Sequence, residues 1–551
     1  MTWLKQSPKL DYIFLILFLG GLFTAGLGGR PLSSPDEGRY AEIPREMVAS
    51  QDYLTPHLNG LKYFEKPPFV YWLETVPLNL GFSSEFALRL PIAFFALLGC
   101  LSVYAFCARI YSRKTGLASA IILGTSTLYF ALGRIILLDL VFSVLIACGL
   151  LSFIVGVRLV PGKERRLHLM LSAIFFGVAV LTKGLIGIVF PLGIIGVWVV
   201  ALNKWRLLKP LYLPTNLSIF LLITVPWHFL VSKENAQFFD FYFIHEHFLR
   251  YLTTIHRRFQ PFWFFVPIFF IGFLPWIFFL PKGFKNLIPS KIKDWKIYDI
   301  EAFLVIWFVF IFAFFSLSSS KLIPYILPVF FPAAITVGRY IVYVMENEKS
   351  YKTEAWTYTV ISWALGFGIP YALISRNDIE LYQALLPYLS ILKIVLCSGS
   401  FLLLIISYSK FAKWGFFVTL TTQIIFLFIV NAAGPFLQKA SMKPFAEQVF
   451  KNMSTETEVI VYGFYPQDLP YYLQRTLKIL NWSGELDFGK KLAPRNSVFL
   501  TDQSFKSFWT QKENVCVIAQ SSRIREVPFP HKNKNDFFQY NDYTMVCKQS
   551  K

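Results

Sequence analysis

LDYIFLILFLGGLFTAGL, residues Leu10–Leu27, is an apolar run preceded by Lys5 and Lys9. A membrane span needs about 20 mostly apolar residues, and runs of that kind recur as far as Val430. Of the 551 residues, 55% are hydrophobic and 18% aromatic, while only 16% are charged. Soluble domains carry roughly a quarter charged residues, so the deficit points to lipid as the solvent. A cleaved signal peptide is the rival reading of the first run. Leu and Phe persist through its second half and a polar motif follows directly, which speaks against cleavage.

The formal charge of +20 raises nucleic acid as a partner, but that would want one continuous basic face. Here Lys and Arg fall in short clusters between apolar runs: Arg109, Arg113 and Lys114; Lys163, Arg165 and Arg166; Lys204, Arg206 and Lys209; then Lys282–Lys296, Lys349–Lys352, and Lys410 with Lys413. Basic loops stay on the cytoplasmic side. With the N-terminus inside, about thirteen spans put every basic cluster on that side. The same thread leaves residues 30–83, Lys183, residues 232–261, Ser316–Lys321 and everything after about 435 outside. No nucleic-acid partner is expected.

Residues 435–551 change character. Short β-rich runs, Val459–Tyr462, Ser497–Leu500 and Val515–Ile518, alternate with polar stretches, and Met442–Phe450 has helical periodicity. They predict a small α/β domain on the outer face, behind a transmembrane domain of residues 1–434. Cys100, Cys107, Cys148 and Cys397 lie in apolar runs and read as small packing residues. Cys516 and Cys547 lie in the outer segment, where a disulfide and two free thiols are both open.

The first outer segment carries the densest polar motif, Ser34-Pro35-Asp36-Glu37-Gly38-Arg39-Tyr40-Ala41-Glu42-Ile43-Pro44-Arg45-Glu46-Met47. Pro35 and Asp36 suit a helix start, with carboxylates where the helix dipole favours them. Ile43, Met47 and Val48 make one apolar stripe, as on a helix along a membrane surface. The bland alternative is that Asp36 and Glu37 only cap that helix. A second motif, Leu61-Lys62-Tyr63-Phe64-Glu65-Lys66-Pro67-Pro68, sets a charge pair beside a double proline that fixes the local backbone. Arg134 and Asp139 follow at the outer mouth of the third and fourth spans, and Thr182-Lys183-Gly184 between two apolar runs. One lysine at a span end snorkels by default; a short aspartate among leucines asks for a partner and a function. His245-Glu246-His247, with Arg250 close behind, crowds groups suited to a divalent cation or a phosphate. Ser318-Ser319-Ser320-Lys321 and Tyr325 complete the set. All six motifs fall on the outer face, whereas the inner loops show topogenic lysines alone.

No stretch matches a Walker loop or a dinucleotide fingerprint. Energy for a reaction outside the cytoplasm then has to arrive inside the substrate, as it does in a polyprenyl-phosphate sugar. Apolar spans hold the lipid, and cations at the rim stabilise the departing phosphate.

Asp36–Met47 followed by Gly60–Pro67 resembles the bacterial 4-amino-4-deoxy-L-arabinose lipid A transferases, within the wider protein O-mannosyltransferase-like family of GT-C membrane fold. The likeness runs on through Thr182-Lys183-Gly184, His245-Glu246-His247, Pro275-Trp276 and Lys321–Leu327. The resemblance implies a mostly helical polytopic protein in the bacterial inner membrane, with interfacial helices in the first periplasmic loop and the active site facing the periplasm. It implies Asp36, Asp139 and Arg39 as catalytic residues, and Lys66, Arg250 and Tyr325 as the donor-phosphate set. Tyr40, Tyr63, Lys183 and Lys321 are expected to line the cavity, and Glu65 and His245 to hold a divalent cation (Zn, Mg or Mn). The implied activity moves an aminosugar from undecaprenyl phosphate to lipid A phosphate, conferring resistance to cationic antimicrobial peptides and polymyxin. Its implied partners are that donor, lipid A and membrane lipids, with the chain acting as a monomer. Gly38 and Pro44 depart from the Thr and Ser that the resemblance leads one to expect.

Three alternatives stay open on the residues alone. The same fold transfers other lipid-linked sugars, galactosamine or mannose, to lipid A or to protein. A lipid-linked sugar transporter would place ionisable groups at mid-membrane in paired broken helices, and no such pairing is visible. A sensor would bind ligand in the outer domain by itself. In the favoured reading the acceptor phosphate is already ionised, so Asp36 orients the donor or its amine; in protein mannosylation Asp36 is the base. Asp36, Glu65, Lys66, Asp139 and His245 are expected to converge in one water-accessible pocket.

Overall fold

Hydrocarbon offers no partners to backbone N–H and C=O groups, so apolar runs satisfy them internally as helices. The computed structural model describes residues 8–243, 260–289, 292–375, 379–437, 441–452, 457–493, 498–529 and 536–548. Among the described residues, nine helices are long and apolar enough to cross a membrane, or ten if the pair Phe262–Gly272 and Trp276–Leu287, bent by 105°, counts as one. Three further apolar helical segments are shorter or interrupted: Pro8–Thr24, Ile186–Leu202, and the run from Arg113 to Leu132, which breaks at Ser126. The chain is a multi-pass membrane protein.

Its contacts divide it into two compact units, Met1–Leu27 with Arg89–Phe436, and Gly28–Leu88 with Leu437–Lys551. The first outer segment, expected to belong with the spans, clusters instead with the C-terminal segment.

In the first unit, helix Leu138–Arg158 lies at the centre, almost wholly buried inside the protein and packed against helix Lys163–Lys183. Arg134 is buried, and its guanidinium donates to the carbonyls of Leu22 (3.1 Å), Phe23 (2.7 Å) and Ala25 (2.6 Å) and to Asn431 Oδ1 (3.0 Å). It thus caps the C-terminal carbonyls of helix Pro8–Thr24, which have no partners in their own helix. Arg165 does the same for Val157, Leu159, Leu207 and Pro210. The basic clusters also carry more than topogenic charge. Asp11 meets Arg113 at 2.7 Å, Glu301 meets Arg339 at 2.8 Å, Glu354 meets Lys282 at 2.8 Å, and Asp299 pairs with Arg158 and Lys204.

In the second unit, helix Asp36–Ser50 leads to a two-residue hairpin, β1 (His57–Leu58) with β2 (Leu61–Lys62), and then to helix Phe69–Asn79. Ile43 and Met47 of the expected apolar stripe are buried in protein. The C-terminal part opens with helix Lys443–Asn452 and forms one six-stranded sheet: β3 (Glu458–Tyr462), β4 (Lys478–Leu480), β5 (Phe499–Leu500), β6 (Val515–Gln520), β7 (Asp536–Tyr540) and β8 (Tyr543–Lys548), in the order β5-β4-β3-β6-β8-β7. β3 pairs parallel with β4 and β6, β4 parallel with β5, and β8 antiparallel with β6 and β7. Ile460, Leu480, Val515, Val517 and Ala519 form one apolar face, which Phe505 and Trp509 of helix Asp502–Gln511 cover. This is the α/β character that the β-rich runs predicted.

Cys516 and Cys547 face each other across β6 and β8 and form a disulfide. Closing a loop of this size constrains the unfolded chain by about 2–4 kcal/mol. Cys516→Ser with Cys547→Ser should therefore leave the chain able to insert but lower its melting temperature. Thermal scanning with and without reductant checks this: the reductant should shift the native protein and leave the double variant unmoved.

Candidate functional site

In the second unit the site begins where the helix begins. Asp36, half exposed, accepts from Arg39 Nη1 at 3.1 Å, one turn on. Arg39 is largely buried, and its Nη2 makes an ion pair with Glu485, a residue of the C-terminal part. Glu485 in turn accepts from Gln467 Nε2 at 2.6 Å, and Gln467 Oε1 accepts from Ser34 Oγ at 2.9 Å. A closed relay, Ser34–Gln467–Glu485–Arg39–Asp36, thus ties the helix start to the loop behind β3 and the turn behind β4. Arg39 Nε is buried without an acceptor among the described residues.

The electrostatics name the neighbours. Burial opposes the Arg39 charge, but Tyr63, Glu485, Tyr40 and Glu65 hold its pKa well above the usual arginine value. Burial pushes the Glu485 carboxyl up, with Arg39 pulling against it and Glu65 adding to the rise. Burial raises the Tyr63 hydroxyl well above its ordinary range, again opposed by Arg39. The guanidinium carbon of Arg39 lies 5.9 Å from the Tyr40 ring, and that ring lies 6.1 Å from Tyr71. Lys66 Nζ donates to the Glu65 carbonyl at 2.8 Å, just ahead of Pro67 and Pro68.

The rest of helix Asp36–Ser50 is held by buried acids. Glu42 takes two 2.6 Å bonds from Arg45, Glu37 takes Arg30 at 2.6 Å and Ser33 Oγ at 2.8 Å, and Glu46 accepts from Gly60 N at 2.9 Å. Gly38 explains its own departure from the expected Thr. A Cβ there would lie 2.4 Å from the Asp468 backbone nitrogen and 2.6 Å from its Cα, so no side chain fits. Asp468 is buried and accepts from Met442 N at 2.7 Å and Ser441 Oγ at 3.1 Å; burial pushes its pKa up to about 6.

The first unit assembles its own set. Asp139 stands in the first turn of helix Leu138–Arg158, where the helix dipole favours a carboxylate. It forms an ion pair with Lys183, the last residue of helix Lys163–Lys183. Gly184 follows at φ +78, a left-handed turn that only glycine adopts cheaply, and it lets the chain reverse there. Lys183 Nζ also lies 4.3 Å from the Tyr325 ring and 5.4 Å from Phe142, so a partly buried ammonium is held by one carboxylate and two aromatic faces. Lys321, expected in the cavity lining, is buried and donates to the Ser318 carbonyl and, at 3.0 Å, to that of Gln260. Its ammonium binds loop carbonyls.

The structure thus brings together Asp36, Arg39, Tyr40, Tyr63, Glu65 and Lys66 as one set, and Asp139, Lys183 and Tyr325 as another. His245 and Arg250, with Glu246 and His247, lie outside the described residues. Of the expected metal pair only Glu65 is described, and among the described residues no group of three or more His, Cys, Asp or Glu could hold a metal. Glu485 and Gln467 carried no signal in the sequence, because they reach Arg39 only through the fold.

Residues 32–242 match the family described as dolichyl-phosphate-mannose-protein mannosyltransferase, and residues 445–529 the aminoarabinose transferase C-terminal domain. A Proteus mirabilis protein named undecaprenyl phosphate-alpha-4-amino-4-deoxy-L-arabinose arabinosyl transferase 1 is 30% identical over 72% of this chain and 71% of its own. A transferase of the same name, without the final numeral, from Pectobacterium atrosepticum is 27% identical over 96% of this chain and 97% of its own. The crystal structure of ArnT from Cupriavidus metallidurans bound to undecaprenyl phosphate superposes with a TM-score of 0.86 at 26% identity, covering 98% of each chain. Fold and likeness together define a membrane glycosyltransferase of the GT-C type. The chain belongs to the undecaprenyl phosphate-4-amino-4-deoxy-L-arabinose arabinosyl transferase family.

Two outcomes follow from this geometry. Gly38→Thr drives a branched side chain into the Gln467–Asp468 backbone and should cost about 1–3 kcal/mol of stability, read as a lower melting temperature and weaker transfer together. Glu485→Gln keeps the shape and removes the charge that faces Arg39. It should lower the melting temperature, because Arg39 stays buried with one counter-charge fewer, and lower kcat/KM roughly 10- to 100-fold, about 1.4–2.7 kcal/mol, in a purified transfer assay.

Proposed function

We propose that the protein transfers 4-amino-4-deoxy-L-arabinose from undecaprenyl phosphate to a phosphate of lipid A, at the periplasmic face of the bacterial inner membrane, as a monomer. The observation that carries this reading is the end-to-end likeness to a transferase crystallised with undecaprenyl phosphate. In the reaction the sugar's anomeric carbon leaves one phosphate oxygen and bonds to another, and undecaprenyl phosphate departs. The acceptor is an anion at neutral pH, so the step needs charge stabilisation and orientation more than a base.

Each residue has a part in that scheme. Asp36, half exposed and steadied by Arg39, binds the donor's amine or orients its ring. Arg39, whose buried Nε has no acceptor among the described residues, is assigned to anionic oxygens of the substrates. Lys66, with Arg250, takes the charge of the leaving phosphate. The Asp139–Lys183 pair beside Tyr325 contributes a further cation, kept paired in a poorly solvated setting. Glu65 and His245 would hold a divalent cation, which supplies further neutralisation of phosphate charge. Metal analysis of the purified protein checks that assignment apart from activity: Glu65→Ala should lose the cation that the native protein retains.

A second reading rests on the mannosyltransferase match over residues 32–242. There the acceptor is a protein hydroxyl and Asp36 is its base. Mass spectrometry of lipid A from cells with and without the protein separates the two. The favoured reading expects an aminopentose added to a lipid A phosphate, lost in Asp36→Asn; unmodified lipid A beside glycosylated peptide would overturn it.

A further inference from the structure

The C-terminal part holds a cavity of about 720 Å³ that takes no part in the scheme above. It opens at the carboxyl ends of the neighbouring parallel strands β4 and β5, and its lining includes Asn481, Trp482, Lys490, Phe499, Asp502 and Gln503. Small-molecule sites span about 300–1,000 Å³, and this volume falls within that range. The lining is specific in kind. Trp482 and Phe499 bring aromatic surface. Asn481, Asp502 and Gln503 bring planar acceptor and donor groups, with Asn481 Nδ2 donating to Asp502 Oδ1 at 3.1 Å. Lys490 Nζ lies 4.7 Å from the Phe499 ring and adds one cation to the lining.

Such a lining suits a hydroxyl-rich ring. A sugar puts its C–H face on an aromatic plane and its hydroxyls on carboxamides and carboxylates, while a lipid chain would leave these polar groups unpaired and an isolated anion would meet Asp502. The cavity is also joined to the catalytic set through the chain itself. Trp482 stacks on Tyr465 with ring centres 5.9 Å apart, and three residues further on Glu485 grips Arg39. We propose that this cavity is a saccharide subsite that holds the sugar backbone of the glycolipid acceptor. The assignment of that occupant rests on the lipid A reading above.

The test uses full-length protein in lipid nanodiscs. The probe is the glucosamine disaccharide bisphosphate that remains when lipid A is stripped of its acyl chains, measured by titration calorimetry beside transfer kinetics on intact lipid A. Trp482→Ala should weaken probe binding about tenfold and raise KM for lipid A by the same factor, with kcat and the donor KM unchanged. Gln503→Ala, on an exposed side chain, should move both in the same direction by a smaller factor, and it carries the test if loss of the Trp482–Tyr465 stack unfolds the first variant. Native transfer to lipid A with both variants binding and reacting like the native chain overturns the subsite alone. A native chain that binds the probe through Trp482 yet does not glycosylate lipid A upholds the subsite and overturns the acceptor. A native chain that does neither overturns both.

Discussion

A bilayer solvates neither a charge nor a bare carbonyl, and the membrane unit is organised around that prohibition. Arg134 and Arg165 each lie against several main-chain carbonyls at helix ends, so they close the helices that the chain would otherwise leave open. Lys321 does so for a connecting loop. Asp139 and Lys183 satisfy each other, and the aromatic rings of Tyr325 and Phe142 replace part of the water that an ammonium loses. What distinguishes that pair from the structural cations is its partner set. A carboxylate and ring faces can exchange with an incoming anion, whereas helix carbonyls cannot be released without opening the fold.

The second unit follows a different rule, since helix Asp36–Ser50 is buried in protein while carrying several acids. Each takes a dedicated donor: Arg30 for Glu37, Arg45 for Glu42, the Gly60 amide for Glu46. Glu74 is the exception. Fully buried on helix Phe69–Asn79, it has both carboxyl oxygens unpartnered among the described residues, and burial, with the Glu37 charge behind it, pushes its pKa well above the carboxylate range. At the helix start Asp36 is half exposed, and the C-terminal part completes the set by pairing the buried Arg39 with Glu485.

Much of this was legible in the residues. Apolar runs with basic punctuation marked the helices, since hydrophobic length is a local property. The paired motifs at Asp36–Met47 and Gly60–Pro67 marked the family, and β-rich runs marked β3 and β6. What stayed hidden was tertiary. Arg134 had the look of a site residue at the mouth of two spans, yet its geometry is that of a helix cap. Glu485 sits in a stretch without a motif, and nothing in sequence spacing links it to Arg39. The grouping of residues 28–88 with the C-terminal part was equally invisible, because it depends on Gly38 and Asn59 meeting residues more than 400 positions away.

The strand order has one more consequence. Between β3 and β6 the direction of winding reverses, the place where open α/β sheets usually admit a nucleotide. Here the loop leaving β3 offers Gln467 and Asp468 to Ser34, to the bare backbone face of Gly38, and to Ser441 and Met442. The host crevice has taken the chain's own helix start as its guest. A tethered guest is present at high effective concentration and does not wash out, so a fold built elsewhere for exchangeable cofactors serves here as a permanent clamp.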